Sequence, residues 1–226
     1  MHATLEKPRL SPGAATRNAS MPCLITNDVN ARAFIDGYQP AIDPLVQSLI
    51  ALGEPLSAEQ EAALPASVNV SRPPTEKKRF IYALHAGPFL LPPEAHDALI
   101  KLEPGVHRFH EIEAFAGGAS LGRYFLQLES PVVDCVDLDH TVFRDGRSRA
   151  YFDEMMAAPK GPAGGPPRVS IAAARVIALS ADKIRGRHWW RVPREFSNAH
   201  FCSDELRQSF SAAKVAGLQF SDCQAS

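Results

Sequence analysis

Residues 107–129 read HRFHEIEAFAGGASLGRYFLQLE, two apolar and aromatic runs on either side of a Gly-Gly pair. Positions 107–115 and 123–129 have the aromatic and aliphatic content of strands. Gly117-Gly118-Ala-Ser-Leu-Gly122 has no Lys-Ser/Thr after its glycines and opens no helix, so it matches no phosphate-binding loop and reads as a hairpin turn. Further strands are expected at 79–84, 88–91, 132–138 and 175–180. Most follow one another without long helical crossovers, which predicts an α+β fold with a largely antiparallel sheet and flanking helices.

Two distant stretches share a layout. Residues 89–109 (FLLPPEAHDALIKLEPGVHRF) and 200–220 (HFCSDELRQSFSAAKVAGLQF) both run from a short strand through a breaker, an acid-led helix and a glycine turn to a strand reaching Phe. Ala95, Leu99 and Leu102 in one helix, and Leu206, Phe210 and Ala213 in the other, fall on one apolar face. Ser203 is placed to cap the second helix, and Pro92-Pro93 suit the start of the first. Two similar strand-helix-strand units are therefore expected.

Ahead of the hairpin, residues 41–52 set Leu45, Leu49 and Leu52 at helical spacing, and Ser57-Ala-Glu-Gln60 fits a capping box. The double proline in the polar stretch 71–79 resists regular structure. The expected organisation is a disordered tail over 1–20, a mostly helical part over 21–78 opened by a strand after Met21, and an α+β domain over 79–226. Met21 is an alternative start to Met1. Residues 157–167, rich in Pro and Gly, should form an exposed loop.

A chain of 226 residues, 45% hydrophobic and 22% charged, has material for a sizeable core and is unlike a disordered protein. The four cysteines, at 23, 135, 202 and 223, are far apart and form no Cys-x-x-Cys pair, so buried free thiols are expected. No apolar stretch follows the basic N-terminal residues, and none has the ~20 residues a membrane span needs. A soluble cytoplasmic protein without a membrane partner is the expectation. Net charge is −1, but residues 94–139 hold nine acids against three bases, and residues 140–194 hold eleven bases against four acids. Such segments either pair with each other or form faces that steer a charged partner.

Candidates for chemistry are weak. On a strand His107 and His110 point to opposite faces, leaving His107, Glu111 and Glu113 on one side. In 132–140 (VVDCVDLDH), Asp137 and Asp139 would share a strand face with Cys135, and Asp134 would lie on the other. Paired carboxylates of that kind could hold Mg²⁺ for phosphoryl or nucleotide chemistry, the alternative being pairing with the arginines that follow. Cys202 beside His200, with His188 and His85 elsewhere, lacks any nucleophile signature. Arg185 to Arg191 (RGRHWWR) interleaves bases with aromatics, a composition that stacks nucleobases or packs Trp into a core. None of these reads as an active centre, so no catalytic residue, metal ligand or cofactor is expected.

The stretch from Arg79 to Asp222 resembles a known family through four motifs in order: PFLLPPEAHDALIKLEPGVHRFHEIE, RYFLQLESPVVDCVDLDHTVF, IRGRHWWRV and HFCSDELRQSFSAAKVAGLQF. It is similar to immunity protein family eleven of bacterial polymorphic toxin systems. That resemblance implies an α+β protein that binds and blocks a cognate toxin, often a nuclease-type effector, inside the producing cell, with no enzymatic activity. An inhibitor needs a surface complementary to its target, with charged and aromatic anchors. Glu111, Glu113, Asp134, Asp137 and Asp139, which could mimic nucleic-acid charge, and Arg187, Trp189 and Trp190 are the expected partner-binding residues. Direct nucleic-acid binding is not expected.

Overall fold

In the structure, a computed structural model, the hairpin sits at the middle of the largest sheet. Residues 21–28, 30, 31, 33–83, 88–143, 146, 148–158 and 167–226 are described. In chain order come β1 (Cys23–Asn27), β2 (Ile35–Gln39), α1 (Pro44–Leu52), α2 (Ala58–Ala62) and β3 (Ser67–Val70). They are followed by β4 (Arg79–Phe80), β5 (Tyr82–Ala83), β6 (Phe89–Leu91), α3 (Pro93–Leu102), β7 (Arg108–Ala116) and β8 (Ala119–Glu129). The remainder is α4 (Arg149–Ala157), β9 (Ala178–Leu179), α5 (Ala181–Ile184), β10 (Trp189–Arg191), β11 (His200–Cys202), α6 (Asp204–Ala212), β12 (Val215–Ala216), β13 (Leu218–Asp222) and β14 (Gln224–Ala225). The fold is α+β.

β7 and β8 turn through Gly117 and Gly118 alone, at φ 56° and 81°. Two successive positive φ values define the tight hairpin turn whose twist matches its strands, and glycine reaches them without a Cβ clash. Around this hairpin a six-stranded sheet runs β2-β3-β7-β8-β6-β5, antiparallel at every step except β3 against β7. On β7, Ile112, Ala114 and Ala116 are buried, while Glu111 and Glu113 face out. β8 is buried from Tyr124 through Leu128, because Tyr124, Leu126 and Leu128 join one core and Phe125 joins another. That covering of both faces explains a run without polar alternation.

The second sheet, β10-β11-β1-β13, is antiparallel throughout and is also covered on both sides. Period-two alternation sends Cys23, Ile25, Trp189 and Cys202 into the core under α3 and α6. Leu24, Trp190 and Phe201 enter the core built with Cys135, Phe143 and Leu179. β6 and β7, joined by α3, both flank β8; β11 and β13, joined through α6, both flank β1. α3 and α6 pack against each other.

Residues 21–78 hold three strands beside two helices, so they are less helical than the spacing suggested. β3 is four residues and β2 carries Asp36, Gly37 and Gln39; each is defined by pairing more than by composition. β1 and β3 pair with β11, β13 and β7, all beyond position 78. The Ser57 capping box forms as read: the Gln60 N–H donates to the Ser57 hydroxyl at 3.2 Å and the Ser57 N–H to Gln60 Oε1 at 2.8 Å. α1 forms, capped by Asp43, but it buries Val46 and Ile50 and leaves Leu45 63% exposed. PLVQSLIAL is apolar around much of its circumference, so spacing alone did not fix the buried stripe.

The strand expected over 132–138 is a correction. Only single bridges form, Val132 with Arg191 and Val136 with Leu179, and the chain then turns at Asp137. Asp137 Oδ1 accepts the N–H groups of Asp139 at 3.0 Å and His140 at 3.3 Å, a side-chain turn that competes with strand pairing. The expected tail, His85 and most of the Pro/Gly loop lie outside the described residues; α4 ends at Ala157. Among the described residues no helix is long and apolar enough to cross a membrane.

Candidate functional site

The exposed face of β7 and β8 carries the expected glutamates. Glu111 and Glu113 stand two residues apart and both point to solvent. The Ser120 hydroxyl donates to Glu113 Oε1 at 2.8 Å, and Arg123 reaches Glu111 Oε2 at 3.5 Å. Arg123 also lies over the Phe125 ring, 5.3 Å from its centroid. The two carboxylates line an open groove of about 490 Å³ together with Leu64, Ala66, His110 and Arg123. The His110 ring is fixed because Nε2 donates to the Pro65 carbonyl at 2.9 Å. The arrangement offers negative charge beside an apolar lip, on strands held rigid by a hairpin.

Asp134, Asp137 and Asp139 are close in sequence but do not converge, because the segment turns instead of running extended. Each meets a basic group from the positively charged stretch that follows. Arg149 holds Asp139 at 2.8 Å, and Lys183 approaches Asp134 Oδ2 to 3.8 Å while donating to the Asp134 carbonyl at 2.7 Å. His140 Nδ1 meets Asp137 Oδ2 at 2.8 Å. Hydrogen bonding from Ser226, with His140 and the Asp139 N–H, pulls the Asp137 carboxyl down to about 2. Part of the charge asymmetry along the chain is thus internal pairing. Among the described residues no group of three His, Cys, Asp or Glu side chains is placed to hold a metal ion.

The expected aromatic anchors lie inside. Trp189 is 0% exposed and Trp190 1%, one in each core flanking the four-stranded sheet, so neither indole is available to a partner in this fold. Consecutive residues on a strand covered on both faces are both buried, which removes the need for an interfacial role. Arg187, in the turn before β10, is exposed. His200 and Cys202 share a face of β11 as their spacing implied, but His200 Nδ1 accepts the Trp189 indole N–H at 3.0 Å. A neutral ring with Nδ1 accepting keeps its proton on Nε2. Burial, then the charges of Arg191 and His107, lower His200 to about 3.

Three buried ionisable residues have partners that the sequence did not announce, and one of them, His107, is turned inward instead of sharing a face with Glu111 and Glu113. Glu103 and His107 pair at 2.8 Å, with side chains 2% and 0% exposed, and Glu103 Oε2 also accepts the Trp189 N–H at 2.9 Å. Burial opposes ionisation of Glu103, yet hydrogen bonds from His107 and the N–H groups of His188 and Trp189 hold its carboxyl below the ordinary range. The available signal was the i, i+4 spacing across Pro104-Gly105. Arg191, 5% exposed, donates to the Leu52 and Gly53 carbonyls at the end of α1. Nothing local in Trp-Trp-Arg-Val announces that role.

Set against models of known protein families, residues 38–225 match the model described as immunity protein family, Imm11. No curated protein matches the chain.

Proposed function

Because the chain belongs to the Imm11 immunity protein family, we propose that it protects the cell that makes it by binding a cognate toxin in the cytoplasm and blocking its action, without chemistry of its own. The observation that carries this reading is the extent of the match, which runs from Tyr38 in β2 to Ala225 in β14, so that of the described strands only β1 lies wholly outside it. The toxin is of the nuclease type. Its phosphate-binding cleft is basic, and Glu111 and Glu113 supply paired carboxylates in its place. Asp134, Asp137, Asp139 and Arg187 form the surrounding contact, where partly paired charges set association rate and specificity more than affinity.

The exposure of the two glutamates beside the groove supports this assignment, since carboxylates held on a rigid strand bind at small conformational cost. The same reading treats β6-α3-β7 and β11-α6-β13 as two similar units, supported by the way each lays one helix over two strands that flank a third. The two units pack together through α3 and α6.

The test is co-expression with the product of the neighbouring gene, in cells which that product alone kills. Survival together with a co-purifying complex supports the proposal. Death despite abundant folded protein refutes it.

A further inference from the structure

Cys23 and Cys202, far apart in sequence, are direct cross-strand partners in the β1–β11 pair. Directly opposed residues of an antiparallel pair have Cα atoms about 4.5–5.5 Å apart, within the roughly 4.4–6.8 Å that a disulfide spans. Both side chains enter the same core, on the α6 side of the sheet. Cys135 and Cys223 lie in the core on the opposite side.

We propose that Cys23 and Cys202 are a modification site: a dithiol that a hydroperoxide converts to a disulfide, reversibly, within the folded protein. The neighbours of the pair assign the roles. Cys23 Sγ lies 3.6 Å from Asp222 Oδ1, and Asp222 is held by Arg207 at 2.7 Å, so an ion pair at the surface sits beside the sulfur. The Cys202 thiol opposite lowers the Cys23 thiol below its ordinary value, with Arg207 assisting and both burial and the Asp222 carboxylate opposing. Cys202 is raised well above its own, first by Cys23 and then by burial. Burial, the largest cause, pushes Cys135 up to about 11 and Cys223 up to about 12, and both lie across the sheet from the Cys23–Cys202 pair.

The chemistry is a two-electron oxidation. The Cys23 thiolate attacks one peroxide oxygen, forming an S–O bond as the O–O bond breaks and the leaving oxygen departs, protonated, as an alcohol or water. The Cys202 sulfur then attacks Cys23, the S–S bond forms, the S–O bond breaks, and the Cys202 proton leaves with the hydroxide as water. Two thiols and one hydroperoxide give one disulfide, one alcohol or water, and one water. The product ties β1 to β11 across nearly the whole chain, and a thiol reductant reverses it.

The full-length protein treated with an equimolar amount of hydrogen peroxide tests this. Two of the four free thiols should disappear while the protein stays folded, with a mass loss of two hydrogens. Non-reducing peptide mapping should then show Cys23 joined to Cys202, with full recovery of thiols in dithiothreitol. C135A/C223A should behave alike, whereas C23A should lose only the cross-link and stay folded. Mapping of the unsubstituted protein decides the matter even where C23A fails to fold. A bridge through Cys135 or Cys223, irreversible oxidation of Cys23 without a bridge, or thiols that react only after unfolding would each overturn the proposal.

Discussion

The guanidinium of Arg191 rests against Gly53, donating to its carbonyl at 2.9 Å and to that of Leu52 beside it. Gly53 is left-handed at φ 60°, and a Cβ there would overlap the guanidinium. The helix thus ends on a buried cation, and the negative end of its dipole replaces a carboxylate partner. Gly53→Ala should destabilise by about 3 kcal/mol, combining left-handed strain with loss of the Arg191 bonds. Gly37→Ala, where an added Cβ would meet no atom within 4 Å, should change stability by under about 0.5 kcal/mol. Urea denaturation of the two variants checks both values.

Removing Glu103 should be among the costliest changes in the protein. Glu103→Ala strands the Trp189 N–H and leaves His107 without its carboxylate, both in the core. The expected loss is about 3–5 kcal/mol, with Glu103→Gln retaining part of the difference because its carbonyl still accepts from Trp189. Thermal or urea unfolding measures it; equal stability of Glu103→Ala and the unaltered protein would refute the role.

Acid should weaken the fold well before the carboxylates titrate. His200 ionises near 6.5 when unfolded and at about 3 in place. Between those values the unfolded chain binds the extra proton, so its contribution is fully present above pH 6.5 and falls as pH drops toward 3, at about 1.4 kcal/mol per unit. Asp137, depressed from 3.8 to about 2, adds a further loss only below about pH 4. Denaturation midpoints from pH 7 to pH 4 should fall, and His200→Phe should flatten that slope.

Charge and burial separate the expected partner residues into two groups. Reversal by Glu111→Lys with Glu113→Lys should leave stability within about 1 kcal/mol and slow association with the toxin at least tenfold at low salt, with a smaller effect as salt rises. Trp189→Ala should instead cost about 3–5 kcal/mol of folding stability, since it empties a fully enclosed site. Stopped-flow association and unfolding curves distinguish the two behaviours.

The parts of the fold that sequence made visible are those fixed by local chemistry. Gly117-Gly118 between alternating runs marked the hairpin, and Ser57 and Ser203 marked helix starts where each hydroxyl accepts a backbone N–H. Properties set by distant neighbours stayed hidden. Val132–Leu138 has strand composition, but Asp137 folds the chain back on its own side chain. Trp189 and Trp190 resembled surface anchors because no local signal shows that both faces of β10 are covered. Glu111 and Glu113 were legible as an exposed pair by alternation, and pairing of the aspartates with the arginines that follow was legible as a class, but the particular partners, Arg149 for Asp139 and Lys183 for Asp134, depended on how α4 and α5 pack. The Cys23–Cys202 contact depended on sheet register, which spacing does not encode.

The most direct measurement is a titration of the purified cognate toxin with this protein, following toxin activity and complex formation together. Activity should fall linearly and reach zero at a fixed stoichiometric ratio, and return when the complex is dissociated. Loss of activity at a small fraction of that ratio, or undiminished activity beside excess folded protein, would contradict inhibition by binding.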